Sequence, residues 1–508
     1  MPYTRRTLAL VLAVVAAWSP SAGAAPTPQP LGVLHVGGAS GPSGLPQIVD
    51  SHGRPVLLRG VNIAGLGDYW RSDLKVSYPT DPSAYTHGAC PKTDWTIEPP
   101  AVCESDFPKI ASLGFNSVRL TLSWSRLEPT PGRIDRAYLR RIDQVVGWAE
   151  AAHLWLVLDL HQDGWSKYAY TRGSCPPGLT PTPGYDGAPL WATDTTLPFC
   201  TVHGTRELDP GVALNFQRLW SNAPGPDGVG IADHLAHVTA VLAKRYVNAP
   251  TVIGYDLLNE PGPGTAGPPV AEAQINAYYA RAITAIRTAV PAFGQLVFVE
   301  PDVARATVTP APTQAVPFRV YSSYANVVFA PHIYTGVFTA DAIAGSPMAV
   351  QKTTMDWDAA VRDSRSLGLP MWVGEFGCGP DADDTILEPA YQQLQARGIG
   401  GAMWIWKENH NDTNPAQTWS ILGSPREVTT ARGYPMITGG QLSQLKDSPR
   451  NHTFKLVVAF ARGTTVVFLP PSESGALHVT GARTVVHRQG AARIVTLTPT
   501  AATVNVSV

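Results

Sequence analysis

The run Val-Ile-Gly-Tyr-Asp-Leu-Leu-Asn-Glu-Pro at 252–261 is apolar until it ends on Asn259, Glu260 and Pro261. Much later, Val-Gly-Glu-Phe-Gly at 373–377 repeats the arrangement and ends an apolar segment on Glu375. Short apolar runs of this kind read as buried parallel strands. Two strand-end glutamates from distant parts of one chain meet only where strand ends converge, as at the C-terminal rim of a (β/α)8 barrel. A lone glutamate in such a place usually serves a salt bridge or a helix N-terminus. Two in matching settings point instead to a shared site.

Working outward, the runs Val56–Asn62, Ser117–Leu122, Leu154–Asp159, Val252–Leu258, Leu296–Glu300, Val327–Pro331, Pro370–Gly374 and Gly400–Trp406 supply eight predicted strands. Helical periodicity falls between most of them, as in Ala137–Ala152, Ile231–Val247, Val270–Val290, Thr354–Leu367 and Ile386–Arg397. This alternation predicts an α/β fold, a (β/α)8 TIM barrel. The chain of 508 residues exceeds the about 250 of a plain barrel. Two long connections, Ile63–Cys103 and Asp163–Pro210, absorb part of the excess and are expected to shape a cleft. Short β-rich runs near the C-terminus, among them Phe-Lys-Leu-Val-Val-Ala-Phe at 454–460, predict a small antiparallel β-sandwich. The expected division is a signal peptide over 1–25, the barrel over 26–440 and the sandwich over 441–508, the sandwich packing on the barrel.

The formal net charge of −1 leaves no electrostatic footprint for nucleic acid. Arg5 and Arg6, the apolar run Leu8–Trp18 and Ala22-Gly23-Ala24 form a secretory signal pattern. That run is shorter than the about 20 residues that span a bilayer. Export to an oxidising compartment is therefore expected, with Cys90–Cys103 and Cys175–Cys200 as local disulfides and Cys378 a buried free thiol. No Cys/His spacing suggests a metal site, and no cofactor is implied. Two carboxyls suffice for glycosidic hydrolysis, one protonating the departing oxygen and the other attacking the anomeric carbon.

These motifs resemble glycoside hydrolase family 5, and several resemble its endoglycoceramidase branch. The resemblance covers roughly Val56 to Trp406. By it, Asn259-Glu260-Pro261 makes Glu260 the acid/base and Asn259 a donor to the sugar 2-hydroxyl, and Gly-Glu-Phe-Gly makes Glu375 the nucleophile. Arg119, in Asn-Ser-Val-Arg-Leu, is similar to the arginine that holds the nucleophile, and His332 and Tyr334, in Pro-His-Ile-Tyr, to a pair around it. Leu-Asp-Leu-His-Gln-Asp-Gly-Trp at 158–165 resembles enzymes acting on glycosylceramides, with His161 and Asp163 near the sugar. The branch places a lysine after the first strand, and Ala64–Arg71 contains none. Glu300, a rival carboxylate at the end of the fifth strand, lacks a preceding asparagine and reads as structural or as a support behind the catalytic groups. Gly400, Ala402, Trp404 and Trp406 share one strand parity, so Trp406, nearest the rim, is the expected sugar platform and Trp404 the expected packing residue.

The resemblance implies a secreted retaining β-glycosidase that cleaves the glycan–ceramide bond of glycosphingolipids and touches membrane or micelle surfaces transiently. The competing expectations are a polysaccharide hydrolase, such as a β-glucanase or β-mannanase, and a lipid β-glucosidase. Retention requires an ionised nucleophile beside a protonated acid, so the two pKa values are expected to be pushed apart, the acid upward.

Overall fold

Eight parallel segments close on one another around a central axis. They are β1 (Arg59–Ile63), β2 (Ser117–Ser123), β3 (Trp155–His161), β4 (Val252–Asp256), β5 (Leu296–Val299), β6 (Val327–Phe329, resuming at His332–Ile333), β7 (Trp372–Phe376) and β8 (Gly400–Met403). This computed structural model describes residues 31–508 apart from 69, 72–75, 78–100, 203–204, 308–321, 339–351 and 409–418. The expected signal segment, Cys90 and much of the connection after β1 lie outside the described residues.

Neighbours pair in the order β1 to β8, and β8 returns to β1 through Gly401 beside Arg59, Ala402 beside Gly60 and Met403 beside Val61. The first part of β6 pairs with β5 and the second part with β7. Between them sits Pro331, which has no N–H for the ladder and interrupts the strand. Phe329 spans the break, its N–H donating to the Pro370 carbonyl at 2.9 Å. The barrel is thereby closed, as the alternation predicts.

Strand parity divides the apolar residues between two cores. Leu156, Leu158 and Leu160 of β3 join the large cluster under the outer helices, whereas Trp155 and Val157 join Ile253, Phe298, Val328 and Trp372 inside the barrel. Continuing the inward parity along β3 brings Asp159 and His161 to the axis near its C-terminal end. Each fully buried Val, Leu, Ile or Phe contributes ~1.5–3 kcal/mol, and this burial makes the barrel a rigid mount for the rim.

The outer helices begin and end where local chemistry allows. Asp135 caps Arg136–Ala151 by accepting from the Ala137 and Tyr138 N–H groups, and Asp209 does the same for Pro210–Trp220. Gly368 closes Thr353–Leu367 in the left-handed conformation at φ 66°. Among the described residues no helix is long and apolar enough to cross a membrane. The connection after β3 is tied by the Cys175–Cys200 disulfide. Cys103 is also disulfide-bonded, while Cys378 is free and buried, and burial pushes its thiol up to about 12.

Two four-stranded antiparallel sheets follow the barrel and share one apolar core that includes Tyr434, Leu456, Val458, Phe468, Val495 and Val506. Their first strand, Tyr434–Ile437, pairs with Thr465–Leu469, so the sandwich begins before the expected boundary at 441. The single Tyr-Pro-Met-Ile run lacks clean alternation, and only the distant pairing reveals it as a strand. The sandwich packs at the N-terminal end of the barrel. There Tyr434 Oη donates to the Gly114 carbonyl at 2.7 Å, and the Leu57 N–H donates to the Met436 carbonyl at 3.1 Å. Both contacts lie just before β1 and β2, opposite the rim where Glu260 and Glu375 sit.

Candidate active site

Arg119 is the centre of the rim. Its β2 position places it beside Asn62 of β1 in the sheet register, and its side chain is fully buried. Nη1 donates to Glu375 Oε1 at 2.7 Å and to Asn62 Oδ1 at 3.2 Å. Nη2 donates to Asn259 Oδ1 at 2.8 Å and Glu300 Oε1 at 2.9 Å, and Nε donates to Asp256 Oδ2 at 3.0 Å. Asp159 Oδ1 lies 3.1 Å from Nη2. The planar fork satisfies this many directions at once, which an ammonium cannot. Burial acts to lower the Arg119 pKa, yet the surrounding carboxylates hold it well above the usual range.

Glu375 is held at both oxygens, because Tyr334 Oη donates to Oε2 at 2.8 Å. Glu260 stands across from it at the end of β4. Its backbone is left-handed at φ 42°, a conformation rare for a residue with a side chain. Two clamps sustain it. Gln162 Nε2 donates to the carbonyls of Asn259 and Glu260, each at 2.8 Å, while Asn259 Nδ2 donates to the Gln162 carbonyl at 2.9 Å. Glu300 Oε2 accepts the Glu260 N–H at 2.9 Å.

His332 lies between the two glutamates, with Nδ1 at 2.9 Å from Glu260 Oε1 and 3.5 Å from Glu375 Oε2. Its Nε2 is 3.1 Å from Glu300 Oε1. Burial would lower its pKa, but the Glu300 and Glu375 carboxylates and the Glu260 bond raise it well above normal. Ligand atoms of Glu260, His332 and Glu375 all lie within 4.8 Å of one another. Such a triad also has metal-ligand composition, but Arg119 and Tyr334 already occupy both Glu375 oxygens, an arrangement suited to orienting a nucleophile.

The electrostatics of the site reverse one expectation. Burial raises the Glu375 carboxyl to about 6 despite His332 and Arg119. Burial acts on Glu260 in the same direction, but the His332 hydrogen bond and charge outweigh it and lower its pKa.

His161 and Asp163 sit on the same rim. His161 Nδ1 is 2.7 Å from Asp159 Oδ2, its Nε2 is 3.5 Å from Asp163 Oδ2, and its ring stacks on Trp404 at 5.5 Å and 14°. Asp163 also accepts from Arg206 Nη2 at 2.6 Å, and Arg206 in turn lies over the Tyr185 ring at 4.6 Å. Arg206 comes from the long connection after β3, where no motif marks it.

The tryptophan assignment needs correction. Trp406 is fully buried, and its Nε1 donates to Asp106 Oδ1 at 3.1 Å; it cannot be a platform. Strand β8 ends at Met403, so alternation does not extend to 404–406, and the Trp404–Ile405 peptide is cis. Trp404 is the partly exposed ring beside His161. Strand parity had no authority beyond the last paired residue.

Residues 81–410 match the family described as Cellulase (glycosyl hydrolase family 5). The chain belongs to glycosyl hydrolase family 5. It is a glycosidase of the endoglycoceramidase branch recognised in its motifs. It is 29% identical over 413 residues to endoglycoceramidase I of Rhodococcus hoagii (strain 103S), spanning 78% of this chain and 72% of that one. A crystal structure of endogalactoceramidase superposes with a TM-score of 0.73 at 31% identity, covering 94% of this chain and 99% of the other. The lactosyl-enzyme intermediate of endo-glycoceramidase II from Rhodococcus sp. superposes with a TM-score of 0.66 at 25% identity, covering 91% and 98%.

Proposed function

We propose that the chain is a secreted retaining β-glycosidase that releases an intact glycan from ceramide, with Glu375 as nucleophile and Glu260 as acid/base. The observation that carries the mechanism is the spacing of the two carboxyls. Oxygens of Glu260 and Glu375 approach within 4.8 Å. Retaining enzymes keep their carboxyls about 5–5.5 Å apart, whereas inverting enzymes need about 6.5–9.5 Å to admit water.

Glu375 attacks the anomeric carbon while Glu260 delivers to the leaving oxygen the proton shared with His332. The bond to the leaving group breaks as the glycosyl–Glu375 ester forms. Glu260 then takes a proton from water, whose oxygen attacks the same carbon and frees Glu375. Arg119 and Tyr334 receive the carboxylate as it departs. One Asn259 amide hydrogen serves Gln162, and the other serves the sugar 2-hydroxyl, a contact that tightens in the oxocarbenium-like transition state. Trp404 stacks under the sugar, and Asp163 takes its hydroxyls.

The substrate assignment is supported by likeness to endoglycoceramidase I and to the endo-glycoceramidase II captured as a lactosyl-enzyme. Export is supported by the N-terminal sequence pattern and by the Cys175–Cys200 disulfide. The test is mass spectrometry of products from lactosylceramide, glucosylceramide and soluble β-glucan, with Glu375→Gln as control. Intact lactose plus ceramide is expected. Glucose from glucosylceramide alone would make the protein a lipid β-glucosidase, and β-glucan fragments alone a polysaccharide hydrolase. Proton NMR of the first product distinguishes retention from inversion.

A further inference from the structure

Glu300 follows the apolar run of β5, where the sequence marks it as structural or as a support for the catalytic groups. Burying a carboxyl is costly unless its oxygens are engaged, and here they are engaged in one direction. The residue is 4% exposed. Tyr279 Oη fixes its backbone on both sides, accepting the Glu300 N–H at 3.1 Å and donating to the Glu300 carbonyl at 3.0 Å. Oε2 accepts the Glu260 N–H at 2.9 Å, and Oε1 lies 2.9 Å from Arg119 Nη2 and 3.1 Å from His332 Nε2.

A partner for Arg119 alone would need one oxygen. The second oxygen is spent on the N–H of a residue held at φ 42°, and the first also faces the imidazole whose other nitrogen meets Glu260 Oε1 at 2.9 Å. A backbone hydrogen bond and an ion-pair contact with the imidazole thus lead from Glu300 toward one carboxyl. The nucleophile is bound directly by Arg119 Nη1 and Tyr334 Oη, and Glu300 reaches it only through the other nitrogen of that guanidinium, which Asn259 also holds.

We propose that Glu300 is a positioning residue for the acid step: Oε2 sets the Glu260 backbone and Oε1 sets the His332 ring, so that His332 Nδ1 faces the Glu260 carboxyl. The role rests on the reading of Glu260 as acid/base. Glutamine cannot replace it. If its amide oxygen accepts the Glu260 N–H, its NH2 group is directed at the Arg119 and His332 cations, and the reverse placement opposes two N–H groups.

The experiment compares kcat/KM for 4-nitrophenyl and 2,4-dinitrophenyl β-glycosides of the sugar released in the product assay. The first needs protonation of its leaving group, and the second scarcely does. General acid catalysis contributes ~10²–10⁴-fold, so Glu300→Gln is expected to lose about 10²-fold on the first and under about fivefold on the second. Equal losses on both substrates would reduce Glu300 to a structural role and overturn the proposal. Glu260→Ala is run alongside. If it too shows equal losses, the acid/base reading itself has failed; if it is selective while Glu300→Gln is not, only the positioning role has failed. Should Glu300→Gln not fold by circular dichroism, Tyr279→Phe carries the test, because it frees the Glu300 backbone and keeps the carboxyl. A smaller loss confined to the 4-nitrophenyl substrate is expected, and a uniform loss would overturn the role.

Discussion

Replacing Tyr334 with phenylalanine removes one oxygen from the rim and should move the pH profile in a direction fixed by the geometry. Tyr334 Oη donates to Glu375 Oε2 at 2.8 Å, and both residues are buried. A hydrogen bond donated to an ionised carboxylate favours the ionised form, so the bond holds the Glu375 pKa down. Its removal raises that pKa from about 6. Hydrogen bonds to charged groups contribute about 1.5–3 kcal/mol, and one pKa unit is about 1.36 kcal/mol, which gives a shift of about 1–2 units. Attack requires ionised Glu375. The acid limb of kcat/KM therefore moves upward by about 1–2 units, activity below both limbs falls about tenfold per unit, and the plateau above them changes far less. The assay is kcat/KM from pH 4 to 9 on a 2,4-dinitrophenyl glycoside, for which protonation of the leaving group scarcely matters. An acid limb that stays within about 0.3 unit, or a fall that is uniform with pH, would refute the reasoning that Tyr334 tunes the charge of Glu375.

Three further substitutions test assignments made from the fold. Trp404→Ala should lower kcat/KM by about 10–100-fold with little change in melting temperature, whereas Trp406→Ala should destabilise the protein by about 3–5 kcal/mol, as buried aromatic truncations do. Paired thermal melts and kinetics would read both, and the opposite pattern would restore Trp406 as the platform. Gly114 sits at φ 90°, and a Cβ there would collide with the Phe468 ring. Gly114→Ala should therefore cost about 1–3 kcal/mol by overpacking, seen as a lower denaturant midpoint with the rim chemistry, on the opposite face, intact. An unchanged midpoint would mean that the barrel–sandwich contact is not a close one.

Much of the site is legible in the chain because strand-end chemistry is local. Asn259-Glu260, Glu375, Arg119 and His332-Ile-Tyr334 each lie within or just after an apolar run, and all converge on one rim. Asn62 and Arg206 carry no local signal, and Gln162 is marked only as a member of the His-Gln-Asp run, without its role. Asn62 lies inside an apolar run whose polarity has no local partner, Gln162 acts through its contacts with another strand's backbone, and Arg206 comes from a long connection with no periodic pattern. The expected pKa order also failed locally, because the Glu260 proton balance depends on a histidine 72 positions away. The first sandwich strand failed for a similar reason, since Tyr434–Ile437 becomes a strand only when Thr465–Leu469 lies beside it.

By itself the sequence determined the strand–helix order, the closure into a barrel and which two glutamates end their strands. Apolar periodicity and Pro/Gly placement are short-range properties that a linear chain displays directly. Only the tertiary structure decided which tryptophan faces the rim, in which direction the Glu260 carboxyl is pushed and what Glu300 touches. Those depend on distances between residues far apart in the chain and on the burial they create together, and neither has a value until the barrel has closed.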